Sequence, residues 1–251
     1  YAELRRHKGI TLEAARATMR TPLGFAAMMV RNGDAAGTIG GAVATTADTV
    51  RTALQIIGKA PDVDSVSSCF LMLLAEPHNR PVIFADCGLI LQPTAEQLAG
   101  IAIASAASLK ALTAQEPRIA MLSFSTKGSV PQSAHESLSR IQNAIDILRT
   151  KAPDLKIDGE LQFDAAIVPE VAAQKAPHSE IEGSANVFVF PSLSAGNIGY
   201  KIAQRIGGAT VLGPILQGLA RPANDLSRGC STQDVYQMIA LTAAQAAAET
   251  A

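Results

Sequence analysis

The sequence predicts an α/β layered fold. Short apolar runs rich in branched side chains, at 66–74, 81–85, 118–124 and 185–190, end in Gly, Pro, Asp or Ser as buried strands do. Longer alanine-rich segments at 46–57, 94–112, 132–149, 194–206 and 232–249 alternate with them as helices. That alternation means strands covered by helices. The length of 251 residues is near the size at which a single core stops growing, so one large domain or two closely joined ones is expected.

The opening residues read as part of a helix. Helix 46–57 leads into Gly58-Lys-Ala-Pro-Asp-Val-Asp64, a crossing between lobes, before strand 66–74 with Cys69 in its apolar interior. Helix 94–112 opens on Thr94-x-x-Gln97, a capping box. Phe124-Ser-Thr-Lys-Gly-Ser129 follows a strand and precedes a helix, so the amides and the Ser125 and Thr126 hydroxyls offer a phosphate cradle. A plain strand-to-helix turn explains that segment equally, and it is not a Walker loop. Gly196 and Gly199 permit close backbone approach near the start of helix 194–206, but G-x-x-G is a weak nucleotide signal. No internal repeat or low-complexity linker interrupts the pattern.

Composition excludes several function classes. Lys plus Arg number 21 against 22 Asp plus Glu, a net charge of -1, so no global field draws nucleic acid or an anionic membrane and any anion site is local. Cys69, Cys87 and Cys230 include no CxxC, and their odd count fits a reducing cytosol better than a disulfide framework. His7, His78, His135 and His178 are scattered, no carboxylates cluster at ligand spacing, and no metal is expected. No signal-peptide pattern is present, and the apolar stretches break before the roughly 18 residues that span a bilayer. These points predict a cytoplasmic protein.

The chemistry concentrates at 221–234, Arg-Pro-Ala-Asn-Asp-Leu-Ser-Arg-Gly-Cys-Ser-Thr-Gln-Asp. Asn224, Asp225 and Gly229 read as turn formers in a loop that holds an anion, with Ser227 as donor and Arg228 as fixed cation. Asp234 has two readings that can coexist, a proton acceptor or the last member of a Ser231-x-x-Asp234 helix cap. Cys230 beside Arg228 offers an alternative as a nucleophilic thiol, whereas Cys87 follows Asp86 and meets the opposite electrostatics.

PANDLSRGCS followed by Asp234 resembles the signature of phosphate acetyltransferases and their phosphate butyryltransferase relatives. The segments 31–58, 84–106, 121–129, 158–166, 175–205 and 212–229 resemble that family in the same order, so the likeness covers nearly the whole chain. The resemblance implies two α/β/α domains with a cleft between them, similar to isocitrate and isopropylmalate dehydrogenases. It assigns 1–60 and 211–251 to the first domain and 61–210 to the second. The family begins with additional strand and helix units, so a chain that starts at Tyr1 is expected to be a fragment.

The implied reaction is acetyl-CoA plus phosphate in equilibrium with CoA plus acetyl phosphate, by direct thiolate attack in a ternary complex, with no cofactor beyond coenzyme A. Carried over by resemblance, Ser227 binds the phosphate end and Arg228 stabilises the transition state. Asp234, seven residues after Ser227, is the base. An arginine about 4 Å from a unit charge is worth roughly 4 kcal/mol at an effective dielectric of ~20. An ordinary aspartate, near ~3.9, is a weak acceptor for a thiol near ~8.5 unless its surroundings raise it. Arg5, Arg51 and Arg205 align with positions that contact phosphate or the coenzyme, and Ser125 and Thr126 fall on the substrate side. A homodimer is implied as well. Longer-chain acyl transfer, and a non-catalytic acetyl-CoA-sensing domain of the kind fused to malic enzymes, are the alternatives.

Overall fold

The computed structural model describes residues 1–61, 63–131, 133 and 135–248, and the chain divides into two compact units, Tyr1–Val66 with Leu212 onward, and Ser67–Val211. In the first stretch of unit 1, each helix starts on a threonine. Helix α1 (Leu12–Met19) is capped by Thr11, α2 (Pro22–Asn32) by Thr21 with Pro22 in its first turn, and α3 (Thr46–Ile56) by Thr45. In each case the threonine oxygen accepts an amide that the first turn leaves without a partner. Strand β1 (Thr38–Gly41) lies between α2 and α3 in the chain. Residues 1–8 form turns and a 3-10 segment (Arg6–Lys8), and the first α-helix begins later, at Leu12.

Unit 2 is built from β2 (Ser67–Leu73), β3 (Pro81–Ala85), α4 (Ala95–Thr113), β4 (Arg118–Leu122), α5 (Glu136–Lys151), β5 (Lys156–Leu161), α6 (Phe163–Ile167), α7 (Pro169–Lys175), β6 (Val187–Val189) and α8 (Leu193–Arg205). The chain leaves it along β7 (Thr210–Gln217). The sheet order is β5-β4-β6-β3-β2-β7. Strands β5, β4, β6 and β3 pair in parallel, and β2 runs antiparallel to β3. These parallel strands are buried nearly end to end, as strands covered on both faces must be. Phe84 packs edge-on against both Phe188 and Phe163, at 5.4 and 5.9 Å between ring centroids. Ala99, Ala102 and Ala106 are buried along α4 and let that helix approach the sheet closely.

Back in unit 1, β8 (Ala223–Leu226) and α9 (Thr232–Ala248) complete the chain. Strand β8 pairs in parallel with β1, Thr38 opposite Ala223 through Gly41 opposite Leu226. This overturns the reading of 221–234 as one loop, and with it Asn224 and Asp225 as turn formers. Both are buried strand residues, with Asn224 accepting the Leu216 amide and donating to Thr242 and Gln245. Their polar side chains hide the apolar pattern that marks other strands. The sequence pattern also lacks β1, β5, β7 and the short helices α1, α2, α6 and α7. Helix 132–149 begins at Glu136, with 132 and 134 outside the described residues, as is 249 at the end of the last helix. Among the described residues, no helix is long and apolar enough to cross a membrane.

Candidate active site

Two parallel strands of unit 1 end side by side at Gly41 and Leu226, and each leads into a helix N-terminus. Carboxyl ends of parallel strands, followed by helix starts, are where α/β folds hold anions. The two ends are tied by the Ala42 amide, which donates to the Leu226 carbonyl at 3.1 Å. After Leu226 the chain makes a tight turn. The Ser227 carbonyl accepts the Cys230 amide at 3.0 Å and the Ser227 hydroxyl oxygen accepts the Gly229 amide at 3.2 Å. Arg228 sits at the tip of that turn, exposed, and makes no hydrogen bond or ion pair among the described residues. A guanidinium without a protein counter-ion is free to meet an external anion.

Asp234 lies in the first turn of α9. Its Oδ2 accepts the Ser231 amide at 2.7 Å and the Ser231 hydroxyl at 2.9 Å, while its own amide donates to Ser231 Oγ at 3.2 Å. The cap that the spacing offered as one reading is therefore formed, and it holds the carboxylate next to the Ser227–Arg228 turn. Arg51 stands on α3, exposed, and bridges to Asp48 at 2.8 Å, a surface pair one helical turn apart. Arg5 precedes the 3-10 segment, and the turn before it is tied to α3 through the Tyr1 hydroxyl, which donates to Gln55 at 3.2 Å. Ser227, Arg228, Asp234, Arg51 and Arg5 all belong to unit 1.

Unit 2 holds the other three sequence-derived candidates. Arg205 is exposed at the last residue of α8. Ser125 and Thr126 are buried, and their hydroxyls serve the loop itself. Ser125 donates to Glu160 at 2.9 Å, and Thr126 accepts the Gln162 amide at 2.9 Å. Glu160 also accepts the Gly128 amide at 2.8 Å, and Lys127 pairs with Asp158. The loop is thus a pinned turn whose hydroxyls face inward, and α5 begins only at Glu136. Along the same carboxyl edge, the buried Asp86 accepts the amides of Gly88, Leu89 and Ile90 and the hydroxyl of Ser68.

The sequence pattern missed Asp225. It is 1% exposed, its Oδ2 accepts the Thr46 hydroxyl at 2.6 Å, and its Oδ1 has no hydrogen-bond partner among the described residues. Burial pushes its carboxyl above the ordinary aspartate range, against the Thr46 hydroxyl bond and the nearby Thr49 hydroxyl and Leu226 amide, which pull it down. Only its place between Pro222 and Ser227 marked it, and that place read as a turn. No group of three His, Cys, Asp or Glu among the described residues is placed to hold a metal ion.

Comparison with known proteins fits these features. The phosphate acetyl/butaryl transferase family matches residues 1–243. A phosphate acetyltransferase of Paracoccus denitrificans is 57% identical over 246 residues, covering 96% of this chain and 76% of that relative. A phosphotransacetylase structure from Streptococcus pyogenes superimposes with a TM-score of 0.92 at 49% identity, over 98% of this chain and 73% of that one. The fold extends further. A 4-hydroxythreonine-4-phosphate dehydrogenase of Klebsiella pneumoniae shares it at 14% identity, with a TM-score of 0.52 over 93% of this chain and 70% of that one. The free guanidinium at the strand end and the capped aspartate after it lie within the matched span, and the chain belongs to the phosphate acetyl/butaryl transferase family.

Proposed function

We propose that the chain transfers an acetyl group reversibly between coenzyme A and phosphate, by direct attack in a ternary complex. In the thioester-forming direction the coenzyme A sulfur attacks the carbonyl carbon of acetyl phosphate. A C–S bond forms, the C–O bond to phosphorus breaks, and inorganic phosphate leaves. Asp234 takes the thiol proton. Arg228 meets the charge that develops on the carbonyl and phosphoryl oxygens, and Ser227 donates to the phosphate. Arg51, Arg5 and Arg205 bind phosphate or the coenzyme, and the loop of Ser125 and Thr126 contributes substrate contacts. The reading includes a homodimer acting in the cytoplasm with no cofactor beyond coenzyme A.

The observation that carries this reading is Arg228, an exposed guanidinium without a protein partner among the described residues, at the carboxyl end of a buried parallel strand. Because it supports nothing in the fold, its replacement should leave stability unchanged within about 0.5 kcal/mol. Mixing the protein with acetyl phosphate and coenzyme A should form thioester, and Arg228→Gln should slow that by about 10²-fold or more. Full turnover by the variant would remove Arg228 from the mechanism. Butyryl phosphate run beside acetyl phosphate sets the acyl preference. Tight acetyl-CoA binding without turnover would favour a sensing domain, and sedimentation tests the dimer.

A further inference from the structure

We propose that Asp225 is a positioning residue that fixes the two arginine-bearing segments of unit 1 to each other, so that a phosphate group meets Arg228 and Arg51 in a set geometry. The proposal rests on the acyl-transfer reading above for what those arginines bind. Asp225 lies opposite Gly40 of β1 and two residues before Ser227, at the end of the strand from which the Arg228 turn departs. Its side chain leaves the strand and takes the hydroxyl of Thr46, the first residue of α3, at 2.6 Å. Arg51 is five residues further along that helix. A single carboxyl thus joins the strand end carrying one guanidinium to the helix carrying the other.

The choice of side chain is informative. Asp225 is almost wholly buried with one oxygen bare, and a carboxyl in that state costs more than an apolar side chain of similar size would. What it supplies in return is direction. A hydrogen bond at 2.6 Å sets the angle and register of the α3 start relative to β8, which apolar packing leaves loose. The space around it is closed. A Cβ at Gly41 would come within 2.7 Å of Asp225 Oδ1. Burial raises the pKa of this carboxyl, and the Thr46 hydroxyl is the hydrogen bond that holds it against the α3 start. Displacing a substrate-holding arginine by about 1 Å is enough to cost large factors in rate or affinity.

The test uses the whole chain with Asp225→Asn, Asp225→Ala, Thr46→Val and the double variant Asp225→Ala/Thr46→Val. Thermal unfolding checks the fold, titration calorimetry reads inorganic phosphate binding, and steady-state rates are taken with acetyl phosphate and coenzyme A each varied. Asp225→Asn keeps an acceptor oxygen and the side-chain shape, and should stay within about threefold of the wild type in every constant. Asp225→Ala and Thr46→Val should each weaken phosphate binding and raise the KM for acetyl phosphate by about tenfold, with the KM for coenzyme A little changed. The double variant should be no worse than either single one, because both remove the same bond. Folded Thr46→Val protein with phosphate Kd and acetyl phosphate KM within about twofold of the wild type would overturn the proposal, leaving Asp225 a packing residue. So would an Asp225→Asn variant as impaired as Asp225→Ala, or a wild type that binds no phosphate. If the wild type binds phosphate and the variants weaken it while no thioester forms, the acyl-transfer reading falls and the positioning role stands.

Discussion

Asp234 Oδ2 accepts two hydrogen bonds from Ser231, from its amide at 2.7 Å and its hydroxyl at 2.9 Å, so the proposed proton acceptor is also the reciprocal half of the cap that opens α9. The two roles separate by substitution. Ser231→Ala removes the hydroxyl that accepts the Asp234 amide and donates to its carboxylate, and should cost about 1 kcal/mol of stability while the Ser231 amide still holds the carboxylate. Asp234→Asn keeps an acceptor for the cap and loses the proton acceptor, so its turnover should fall by about 10²- to 10⁴-fold with little change in melting. Denaturant unfolding and thioester formation, measured on both variants, check the pattern. Turnover intact in Asp234→Asn would take it out of proton transfer.

Asp225 makes stability depend on pH with a definite sign. Burial raises its folded-state pKa, and the groups the raised carboxyl meets from α3 and β8 are the Thr46 and Thr49 hydroxyls and the Leu226 amide. An acid whose folded value lies above its unfolded value adds stability that is fully present below the unfolded value and is lost as pH rises through the folded one. Relative to Asp225→Asn, which cannot titrate, the wild type should be at its best at and below about pH 4 and lose ground as pH rises above it. Melting temperatures of the pair across that range measure it. A difference that stays flat would mean that the carboxyl titrates alike in the folded and unfolded chain.

These residues show where the sequence was legible. Helix α4 stood out because its cap and its alanine-rich body follow local rules, and the Thr94–Gln97 box is present with both reciprocal bonds. Strand β3 was equally plain, an apolar run opened by proline. Strand β8 was not, because Asn224 and Asp225 carry the composition of a turn, and their burial follows from partners more than fifteen residues away, Thr242, Gln245 and Thr46. The same distance hid the site. The family resemblance marked Ser227, Arg228 and Asp234 as candidates, but only the pairing of β8 with β1 places Asp225 against α3. The inward-facing hydroxyls of Ser125 and Thr126 were hidden likewise, since their partners Glu160 and Gln162 come from the far end of β5.

Gly41 has a backbone that only glycine tolerates. Its φ is +88°, and a Cβ there would lie 2.2 Å from the Leu226 carbonyl oxygen and 2.6 Å from the Leu226 nitrogen. Neither atom can turn aside as a side-chain tip would. Gly33 is the control, with φ +85° and nothing within 4 Å of its Cβ position. Gly33→Ala should cost about 1–2 kcal/mol for the left-handed backbone alone, and Gly41→Ala clearly more. Because Gly41 lies against the strand end that bears Ser227 and Arg228, only Gly41→Ala should also slow turnover. Equal losses in denaturant unfolding would show that β1 and β8 part easily at this point.

The thiols give the last test, because the cysteines differ in their surroundings. Cys69 and Cys87 are both 0% exposed, and burial pushes both thiols well above their ordinary range, with Asp86 adding to the shift in each case. Cys230 is partly exposed in the turn after Arg228. A disulfide reagent at neutral pH should therefore find one fast thiol per folded chain and all three cysteines after unfolding. Cys230→Ala should abolish the fast reaction and keep turnover within about threefold, since direct attack by coenzyme A needs no enzyme thiol. Loss of thioester formation in a folded Cys230→Ala protein would instead put the acetyl group on Cys230 during the reaction, and a burst of acetylated enzyme in the wild type would then have to accompany it.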